Sequence, residues 1–393
     1  VFSAVASCAL AAGGIHAAQK SVAGSNVFDP GRVAVVKLVM TDEAYKTMMA
    51  PPNDREPSYV PVDFKFDDQV VTNVAIRLKG NVRDRYQPAL KVDFDRYVTD
   101  QEFDGLKRLN FHHPLIYDLV LADFLSYAAW RDFGVPAPRT GWVEVWINDK
   151  LLGTYTSVEQ VDQRFISTHF DFKRGDLYKP DPPAGTLAWR GPSITNYPNV
   201  NWELQEDTDH AAFIHMVDVI NHEPVSAFSE VLDLKSVLTY LAGNVALGNT
   251  DAYTELGHNY YLYESSPGKF TMLPWDMNLS QIRGPGSVFP IFQVPAPLAK
   301  KLLSDATYRE IYLRILKSFL EGPGAKEVLI THLDSAARVL TNRAPARELQ
   351  NLRSTIARRV DDLRAITYQS LASYSSPQRV IISEFMASNT KTI

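Results

Sequence analysis

Alternation of apolar and polar residues between Tyr59 and Phe94 constrains the fold of this chain more than any other feature. Two runs that follow turn-forming residues, VVTNVAIRLKG (70–80) and ALKVDF (89–94), are short, apolar and rich in β-branched residues. The stretch before them, YVPVDFKF (59–66), has apolar residues at every second position, which is the period of a strand with one buried face. These residues are Val60, Val62, Phe64 and Phe66. The pattern therefore predicts a series of β hairpins.

Helical spacing dominates the end of the chain instead. The segment Leu298–Tyr368 predicts helices, with breaks at Gly322-Pro323-Gly324 and at Pro345. Earlier helices are predicted over Leu115–Phe133 and Leu234–Leu247. No internal repeat is visible. Because strands gather early and helices late, we predict an α+β fold with the two kinds of element segregated.

Composition excludes several classes of function. The 393 residues carry a formal net charge of −5, which gives no electrostatic basis for binding nucleic acid or an anionic membrane. No apolar run after residue 20 approaches the ~20 residues needed for a transmembrane span. Cys8 is the sole cysteine, so disulfides within the chain are excluded.

The first 18 residues, VFSAVASCALAAGGIHAA, predict a signal peptide. They are small and apolar, with small residues at a cleavage site near Ala17 or Ala18. Val5-Ala6-Ser7-Cys8 also fits the lipobox of a lipoprotein, and a buried apolar helix is a third reading, disfavoured by Gly13-Gly14. We expect a secreted or cell-envelope protein.

The densest group of candidate catalytic residues begins at Asn249-Thr250-Asp251. It continues through His258-Asn259 and ends at Pro274-Trp275-Asp276. The pattern predicts a helix end, then a hairpin that turns at Pro267-Gly268, then an aspartate just after the second strand. Because a hairpin brings its two ends together, we expect Asn259 and Asp276 to be close neighbours.

These residue types suit phosphoryl transfer. Oxygens of Asn259 and Asp276 are hard ligands of the kind that Mg²⁺ or Mn²⁺ prefers, and Asp251 would accept a proton from a hydroxyl nucleophile. Protein kinases arrange their base and metal ligands in this way, and positioning with charge neutralisation supplies most of their catalysis. The alternative is structural, with Asp251 a turn residue at a helix end and Asn259 a turn former.

A second candidate group combines Lys79-Gly80-Asn81 with Lys91. A glycine turn between strands, followed by a lysine on the returning strand, is typical of a flap over phosphates, although Lys-Gly-Asn is also an ordinary turn. Lys91 alternates with Leu90 and Val92, so it faces either a cleft or solvent.

Glu159 is a third candidate, at the end of the predicted strand in GTYTSVEQVDQRF (153–165). Buried near a lysine it would orient that lysine, whereas strand-end glutamates more commonly face solvent. His112-His113, and His210 with His215, lack a cysteine or glutamate at zinc-ligand spacing and are predicted to be structural or surface residues. No G-x-S-x-G, Walker A or H-E-x-x-H motif occurs.

These stretches, taken in order, resemble the CotH kinase family. The resemblance implies an atypical protein-kinase-like fold of two lobes, β-rich at the N-terminal side and helical at the C-terminal side. It also implies ATP, with Mg²⁺ or Mn²⁺, as cofactors for phosphorylating Ser/Thr of surface or coat proteins. The resemblance is strongest over 74–281 and rests on seven stretches: VAIRLKGN (74–81), LKVDFDRY (90–97), FDGLKRLNF (103–111), FGVPAPRTGWVEVWINDKLLGTYTSVEQVDQRF (133–165), DLYK (176–179), LAGNVALGNTDAYTELGHNYYLYE (241–264) and PWDMNLS (274–280).

Site roles follow from the resemblance by position. Asp251 would be the catalytic base, and Asn259 with Asp276 would bind the metal ion. Lys91 would contact phosphate, Lys79-Gly80-Asn81 would form part of the phosphate flap, and Glu159 would lie at the nucleotide cleft.

The sequence departs from the family pattern on the phosphate side. Val82-Arg83 stand where serines are usual, and Gln87 where a lysine is usual. The stretch LVLADF (119–124) has neither the arginine nor the glutamate common on that helix, so Asp123 or Glu159 would have to substitute. A kinase-like envelope module that binds without turnover is therefore the alternative function. A metal-dependent hydrolase is a third, with no water-activating base beyond Asp251.

Domain boundaries follow from these patterns. We predict a kinase-like domain over 30–371, of which 298–371 is the helical part. The C-terminal stretch RVIISEFMASNTKTI (379–393) resembles the opening strand of a lamin-tail domain, with a disordered terminus as the alternative. Pro180–Asn201 is rich in Pro, Gly and Asn and predicts a long surface loop.

Overall fold

The alternating residues of the first third of the chain form a closed barrel of strands. The computed structural model describes residues 22–50, 58–79, 88–113, 121–205, 209–282, 286–344 and 346–374. Within these residues the barrel strands are β1 (Val33–Val39), β2 (Val60–Phe66), β3 (Gln69–Leu78), β4 (Leu90–Asp93), β5 (Arg108–His112), β6 (Thr140–Ile147) and β7 (Lys150–Glu159).

Neighbouring barrel strands follow the order β1-β2-β3-β4-β5-β7-β6. Each pair is antiparallel except β6 with β1, which run parallel and close the barrel. The alternating residues of β2 point inward and are buried. Phe64 packs edge-on against Phe94 at 5.1 Å between ring centroids, which helps to fill the barrel interior.

A second sheet follows the barrel along the chain. Its strands are antiparallel, in the order β11-β10-β8-β9. The strands are β8 (Leu177–Pro180), β9 (Val200–Leu204), β10 (Tyr260–Ser266) and β11 (Lys269–Pro274). The predicted hairpin is confirmed: β10 and β11 pair from Tyr260 opposite Pro274 down to a turn in which Gly268 takes a positive φ of 73°.

Of the helices that the structure describes, two lie between barrel strands, and the others follow the barrel along the chain. In the described residues they are α1 (Asp42–Met49), α2 (Leu121–Asp132), α3 (Gln163–His169), α4 (Ala211–His222), α5 (Phe228–Val231), α6 (Leu234–Ala246), α7 (Tyr253–Leu256), α8 (Pro297–Ser304), α9 (Ala306–Glu321), α10 (Lys326–Val339) and α11 (Ala346–Ala372).

Helix α2 connects the barrel to the helical part of the molecule. It is buried along Leu121–Trp130 because it contacts β6 and β7 on one side and α10 on another. Trp130 packs directly over Gly243 of α6, where the absence of a side chain lets the indole ring approach. A helix enclosed in this way carries apolar residues on most of its surface, as the sequence of α2 shows.

The predicted α+β class is confirmed. Helix α1 follows β1 closely along the chain, and the Thr41 side chain caps its N-terminus by accepting the N–H of Ala44. The prediction of a surface loop over Pro180–Asn201 is wrong in its central part: Ala184 and Leu187 are fully buried. Tyrosine hydroxyls from α7 and β10 donate hydrogen bonds to backbone carbonyls of this stretch. Because these buried carbonyls have partners, a Pro/Gly-rich segment can be enclosed.

Several predictions concern segments outside the described residues. These are the signal peptide over 1–18, Gly80-Asn81 of the flap, and the lamin-tail-like stretch 379–393. In the part of the chain that the structure describes, no helix combines the length and apolar character needed to cross a bilayer.

The contact between α2 and α6 predicts the effect of filling Gly243. A Cβ at this position would lie 2.0 Å from the Trp130 ring, so Gly243→Ala must displace a fully buried indole. We expect a loss of about 2 kcal/mol in the free energy of unfolding, measured by urea denaturation. Gly286→Ala is the matched control, because a Cβ there meets nothing within 4 Å; equal stability of the two variants would contradict this packing.

Candidate active site

Asp276 follows β11 with one residue, Trp275, between them, where the second sheet meets α2. It adopts a left-handed backbone, with φ of 50°. Its N–H donates to the Tyr127 hydroxyl at 2.9 Å, and the N–H of the next residue, Met277, donates to Asp123 Oδ1 at 3.0 Å. Both acceptors belong to α2, so this helix fixes the backbone that presents the Asp276 carboxylate.

Lys79 supplies the positive charge next to this carboxylate. The residue extends β3 by one position, with its N–H bonded to Ala89 O, and its Nζ lies 3.5 Å from Asp276 Oδ2. Burial alone would raise the pKa of Asp276, but positive charge, chiefly that of Lys79, lowers it to about 2. Burial also lowers the pKa of Lys79, against the influence of Asp276.

His112 and Asp123 complete the buried cluster. His112 Nδ1 lies 3.0 Å from Asp123 Oδ2 and 3.7 Å from Asp276 Oδ1, and its Nε2 contacts the Lys79 ammonium. An ammonium group has only hydrogens to offer, so Nε2 must accept and Nδ1 carries the proton that Asp123 accepts. His112 was predicted to be structural or exposed, and its imidazole, only 2% exposed, is buried against Lys79 and Asp123.

The predicted base, Asp251, lies in the connection between α6 and α7. Its Oδ1 is 2.5 Å from His258 Nε2, and its Oδ2 accepts a bond of 2.9 Å from Asn259 Nδ2. Burial lowers the pKa of His258, but the bond to Asp251 and the charges of Asp251 and Asp181 outweigh it and raise that pKa. The Asp251 carboxylate is thus held at both oxygens.

Asn259 lies at the start of the hairpin, with its carbonyl accepting the N–H of Trp275 at 3.3 Å. The hairpin therefore brings Asn259 beside the residue that precedes Asp276, as predicted. Both bonds donated by Asn259 Nδ2 go to Asp251, to its backbone oxygen at 2.8 Å and its carboxylate at 2.9 Å. This fixes the orientation of the amide and leaves Oδ1 as the atom for a cation.

The donor set fits a divalent metal ion. Asp276 Oδ1 is buried and accepts no hydrogen bond from any described residue. A buried carboxylate oxygen without a partner is costly unless another cation is present. With Asn259 Oδ1 from the same hairpin end, it provides the hard oxygen ligands that Mg²⁺ or Mn²⁺ prefers.

Lys91 lies on β4, in register with Arg77 of β3 and Asn110 of β5. Its Nζ is 3.9 Å from Glu203 Oε1 of β9, a long contact that leaves the ammonium weakly compensated. Burial lowers the pKa of Lys91 to about 8. Lys91 thus faces Glu203, whereas Lys79 is the lysine that lies against Asp276.

Glu159 is buried but lies against an arginine. Its two oxygens accept bonds from the Arg139 guanidinium, at 2.9 Å from Nε and 2.5 Å from Nη2. This bidentate pair joins the end of β7 to the residue before β6 and does not join Glu159 to Lys79 or Lys91. Of the expected lysine partners, Asp123 is the one that reaches Lys79, through His112.

Lys179 is a residue to which the sequence patterns assigned no role. Its positive charge contributes to lowering the pKa values of Lys79, Lys91 and Asp276. It stands in the DLYK stretch on β8, 3.9 Å from Asp181. In the sequence, the signal that could have identified Lys179 is its position in DLYK (176–179), one of the stretches that resemble the family.

The lowered pKa of Lys91 predicts how stability changes with pH. The folded-state pKa of about 8 lies below the ordinary value of 10.5, so burying the charged amine destabilises the fold fully below pH 8. That penalty disappears as the pH rises toward 10.5. We expect Lys91→Met to be more stable than the wild type near neutral pH by up to about 3 kcal/mol.

Denaturation at about pH 7 and about pH 9.5 measures this effect, because the advantage of Lys91→Met should shrink at the higher pH. Lys37→Met on the exposed side of β1 is the control and should change stability little at either pH. A Lys91→Met variant less stable than the wild type at neutral pH would contradict the burial of a weakly paired charge.

The chain is similar to a curated relative and to solved structures, two of which are described below. Inner spore coat protein H of Bacillus subtilis (strain 168) is 24% identical over 264 residues, which cover 63% of this chain and 71% of that protein. The Helicobacter pylori proinflammatory kinase CtkA matches with 8% identity and a TM-score of 0.35, over 69% of this chain and 94% of that chain.

A chain of the Shewanella oneidensis MR-1 HipA, HipB and operator DNA complex matches with 14% identity and a TM-score of 0.31, over 84% of this chain and 74% of that one. Both TM-scores are too low to establish a shared fold. The family comparison is of another kind, since the model described as CotH kinase protein matches residues 76–353, well over half of the chain. On that match, the chain belongs to the CotH kinase protein family.

Proposed function

We propose that this protein is an atypical protein kinase that transfers the γ-phosphoryl group of ATP to Ser/Thr hydroxyls of a surface or coat protein, with Mg²⁺ or Mn²⁺. One observation carries the proposal: Asp276 presents a buried, unpartnered oxygen beside Lys79, at the hairpin end that also holds Asn259. A metal ligand and an ammonium group at one point are what a bound polyphosphate requires.

The proposed fold assignment has two parts. The barrel, with α2, would be the N-terminal lobe, and the later sheet with α4–α11 the C-terminal lobe of a kinase-like domain over 30–371. Support comes from the family match, which falls inside these limits, and from the positions of Lys79 on the barrel and Asp276 on the later sheet.

Asn259 and Asp276 would hold the metal ion. A divalent ion there would neutralise phosphate charge and orient the terminal phosphoryl group. The contribution of the chain is to fix both ligands before the ion arrives: Asp251 orients the Asn259 amide, and α2 fixes the backbone of Asp276.

Asp251 would receive the substrate hydroxyl. His258 and Asn259 each bond one of its oxygens, so the carboxylate cannot rotate, and each oxygen keeps a lone pair for the hydroxyl. Its work would be to orient the nucleophile and to take its proton as the bond to phosphorus forms.

The phosphate side would be basic, with Lys79, Lys91 and Lys179 around the cleft. Lys79 is best placed to contact phosphates next to the metal ion, because it already lies 3.5 Å from Asp276. Lys91, weakly paired with Glu203, would be available to a second anionic group. Gly80-Asn81 would complete the flap.

The location and partner follow from the relative and from the N-terminal pattern. The similar protein is named an inner spore coat protein, which supports a coat or surface protein as substrate. A signal peptide over 1–18 would export the chain or, if Cys8 is lipidated, would anchor it at the envelope. Neither a nucleic acid nor a membrane span enters the proposal.

A second candidate is a kinase-like envelope module that binds without turnover. One observation favours it: the lysine of the site reaches an acidic residue of α2 only through an intervening imidazole, His112, rather than through a direct ion pair. An altered lysine contact would weaken phosphate positioning more than it would weaken the fold.

Phosphate incorporation tests the catalytic claim. The purified protein, incubated with γ-labelled ATP, Mn²⁺ or Mg²⁺ and isolated coat or surface proteins, should transfer label. Asp251→Asn and Asp276→Asn should each reduce transfer by at least about 100-fold, because each removes a catalytic group. Asp361→Asn, an exposed helix position paired with Lys326, is the matched control and should keep full activity. Label transfer unaffected by the two site variants would contradict the assignment.

A thermal-shift titration separates the two candidates. A kinase should gain about 2.7 kcal/mol of stability when ATP and metal together reach 100 times the dissociation constant. A module that holds an envelope partner without turnover should gain none, so the absence of stabilisation would contradict the kinase assignment and favour the binding module.

A further inference from the structure

The Lys79 ammonium is shared among three neighbours in a buried pocket. Its Nζ contacts His112 Nε2, lies 3.5 Å from Asp276 Oδ2 and sits 4.8 Å from the centroid of the Trp275 ring. The Lys79 side chain is only 13% exposed, so water contributes little to solvating this charge. The geometry among these neighbours therefore decides where the ammonium rests.

The distance from Lys79 to Asp276 is longer than a direct ion pair requires. Ammonium–carboxylate pairs that share a hydrogen bond lie about 2.7–2.9 Å apart, and burial strengthens the attraction between them. Here the ammonium bonds to the imidazole of His112 and stays 3.5 Å from the carboxylate. The ammonium has hydrogens for both neighbours, but its contact with His112 leaves the bond that it donates to Asp276 Oδ2 long, at 3.5 Å.

His112 is held in place from two sides. It ends β5, where it pairs with Thr156 of β7, and its Nδ1–H donates to Asp123 at 3.0 Å. Asp123 is itself fixed because its other oxygen accepts the Met277 N–H. Imidazole and carboxylate are both almost fully buried, so the ring presents Nε2 to Lys79 as a fixed acceptor.

A metal ion bound directly by His112, Asp123 and Asp276 is the competing explanation. These side chains offer ligand atoms within 4.8 Å of one another. However, the imidazole nitrogen that faces both carboxylates carries a proton, and the Lys79 ammonium lies against the other. A cation among these three would meet that positive charge, so the cluster is better suited to holding the lysine.

We propose that His112, oriented by Asp123, is a positioning residue that holds Lys79 away from Asp276 and so keeps this carboxylate open to a divalent cation. The inference rests on the proposed function, in which Asp276 binds the metal ion. Without the imidazole acceptor, Lys79 closes onto Asp276, and a metal ion must then displace a direct ion pair.

Two substitutions of His112 separate this role from a structural one. His112→Asn keeps a polar atom near Nδ1 for Asp123 but removes the acceptor for Lys79. His112→Gln places its amide oxygen near Nε2 and keeps that acceptor. Binding of Mn²⁺ alone, followed by the electron paramagnetic resonance signal of the free ion, should weaken about tenfold in His112→Asn and change little in His112→Gln.

The double variant Lys79→Met/His112→Asn provides the decisive comparison. Removing the lysine removes the competitor for Asp276, so Mn²⁺ affinity should recover to at least that of the wild type. A purely structural role for His112 predicts no such recovery. Near-ultraviolet circular dichroism confirms that each variant has native packing before titration.

Asp276→Asn distinguishes failure of this inference from failure of the proposed function. If the wild type and Asp276→Asn bind Mn²⁺ equally, the metal site is elsewhere, and the proposed function and this inference are both overturned. If only Asp276→Asn loses Mn²⁺ while His112→Asn binds as tightly as the wild type, the inference alone is overturned.

Discussion

The partly buried charge pair formed by Lys79 and Asp276 is the interaction on which the rest of the site depends. An ammonium and a carboxylate withdrawn from water are costly to bury, and removing one partner leaves the other uncompensated. Separate parts of the fold share this cost: the barrel supplies Lys79 and His112, while the later sheet supplies Asp276. Helix α2 joins them because Asp123 bonds both His112 and the backbone after Asp276.

The hairpin β10–β11 couples this pair to the opposite side of the site. Asn259 begins the hairpin and Asp276 follows it, and the Asn259 carbonyl bonds the N–H of Trp275. The same asparagine donates both amide hydrogens to Asp251, which His258 holds from the other side. One hairpin end therefore fixes the spacing between the proposed base and the proposed metal ligands, with Lys79 facing them from the barrel.

The sequence predicted those parts of the structure that local patterns determine. Alternation in β2 predicted the strands, and the turn signal at Pro267-Gly268 predicted the hairpin that brings Asn259 near Asp276. Contacts between distant elements carried no such signal. His112 gained its place because barrel and α2 packing brought it to Asp123 and Lys79, which no spacing along the chain reveals. Which lysine, Lys79 or Lys91, lies against Asp276 likewise depends on where β3 and β4 end relative to the second sheet. Local patterns do not reveal this, because Lys79 and Asp276 are 197 positions apart in the sequence.

Anomalous scattering from Mn²⁺ would locate the metal ion in the crystal. In crystals grown with Mn²⁺ and a non-hydrolysable ATP analogue, we expect an anomalous peak within coordination distance of Asp276 Oδ1 and Asn259 Oδ1, with Lys79 turned toward the phosphates and still in contact with His112. A peak bonded elsewhere, or an Asp276 carboxylate closed onto Lys79 in the presence of bound nucleotide, would contradict this expectation.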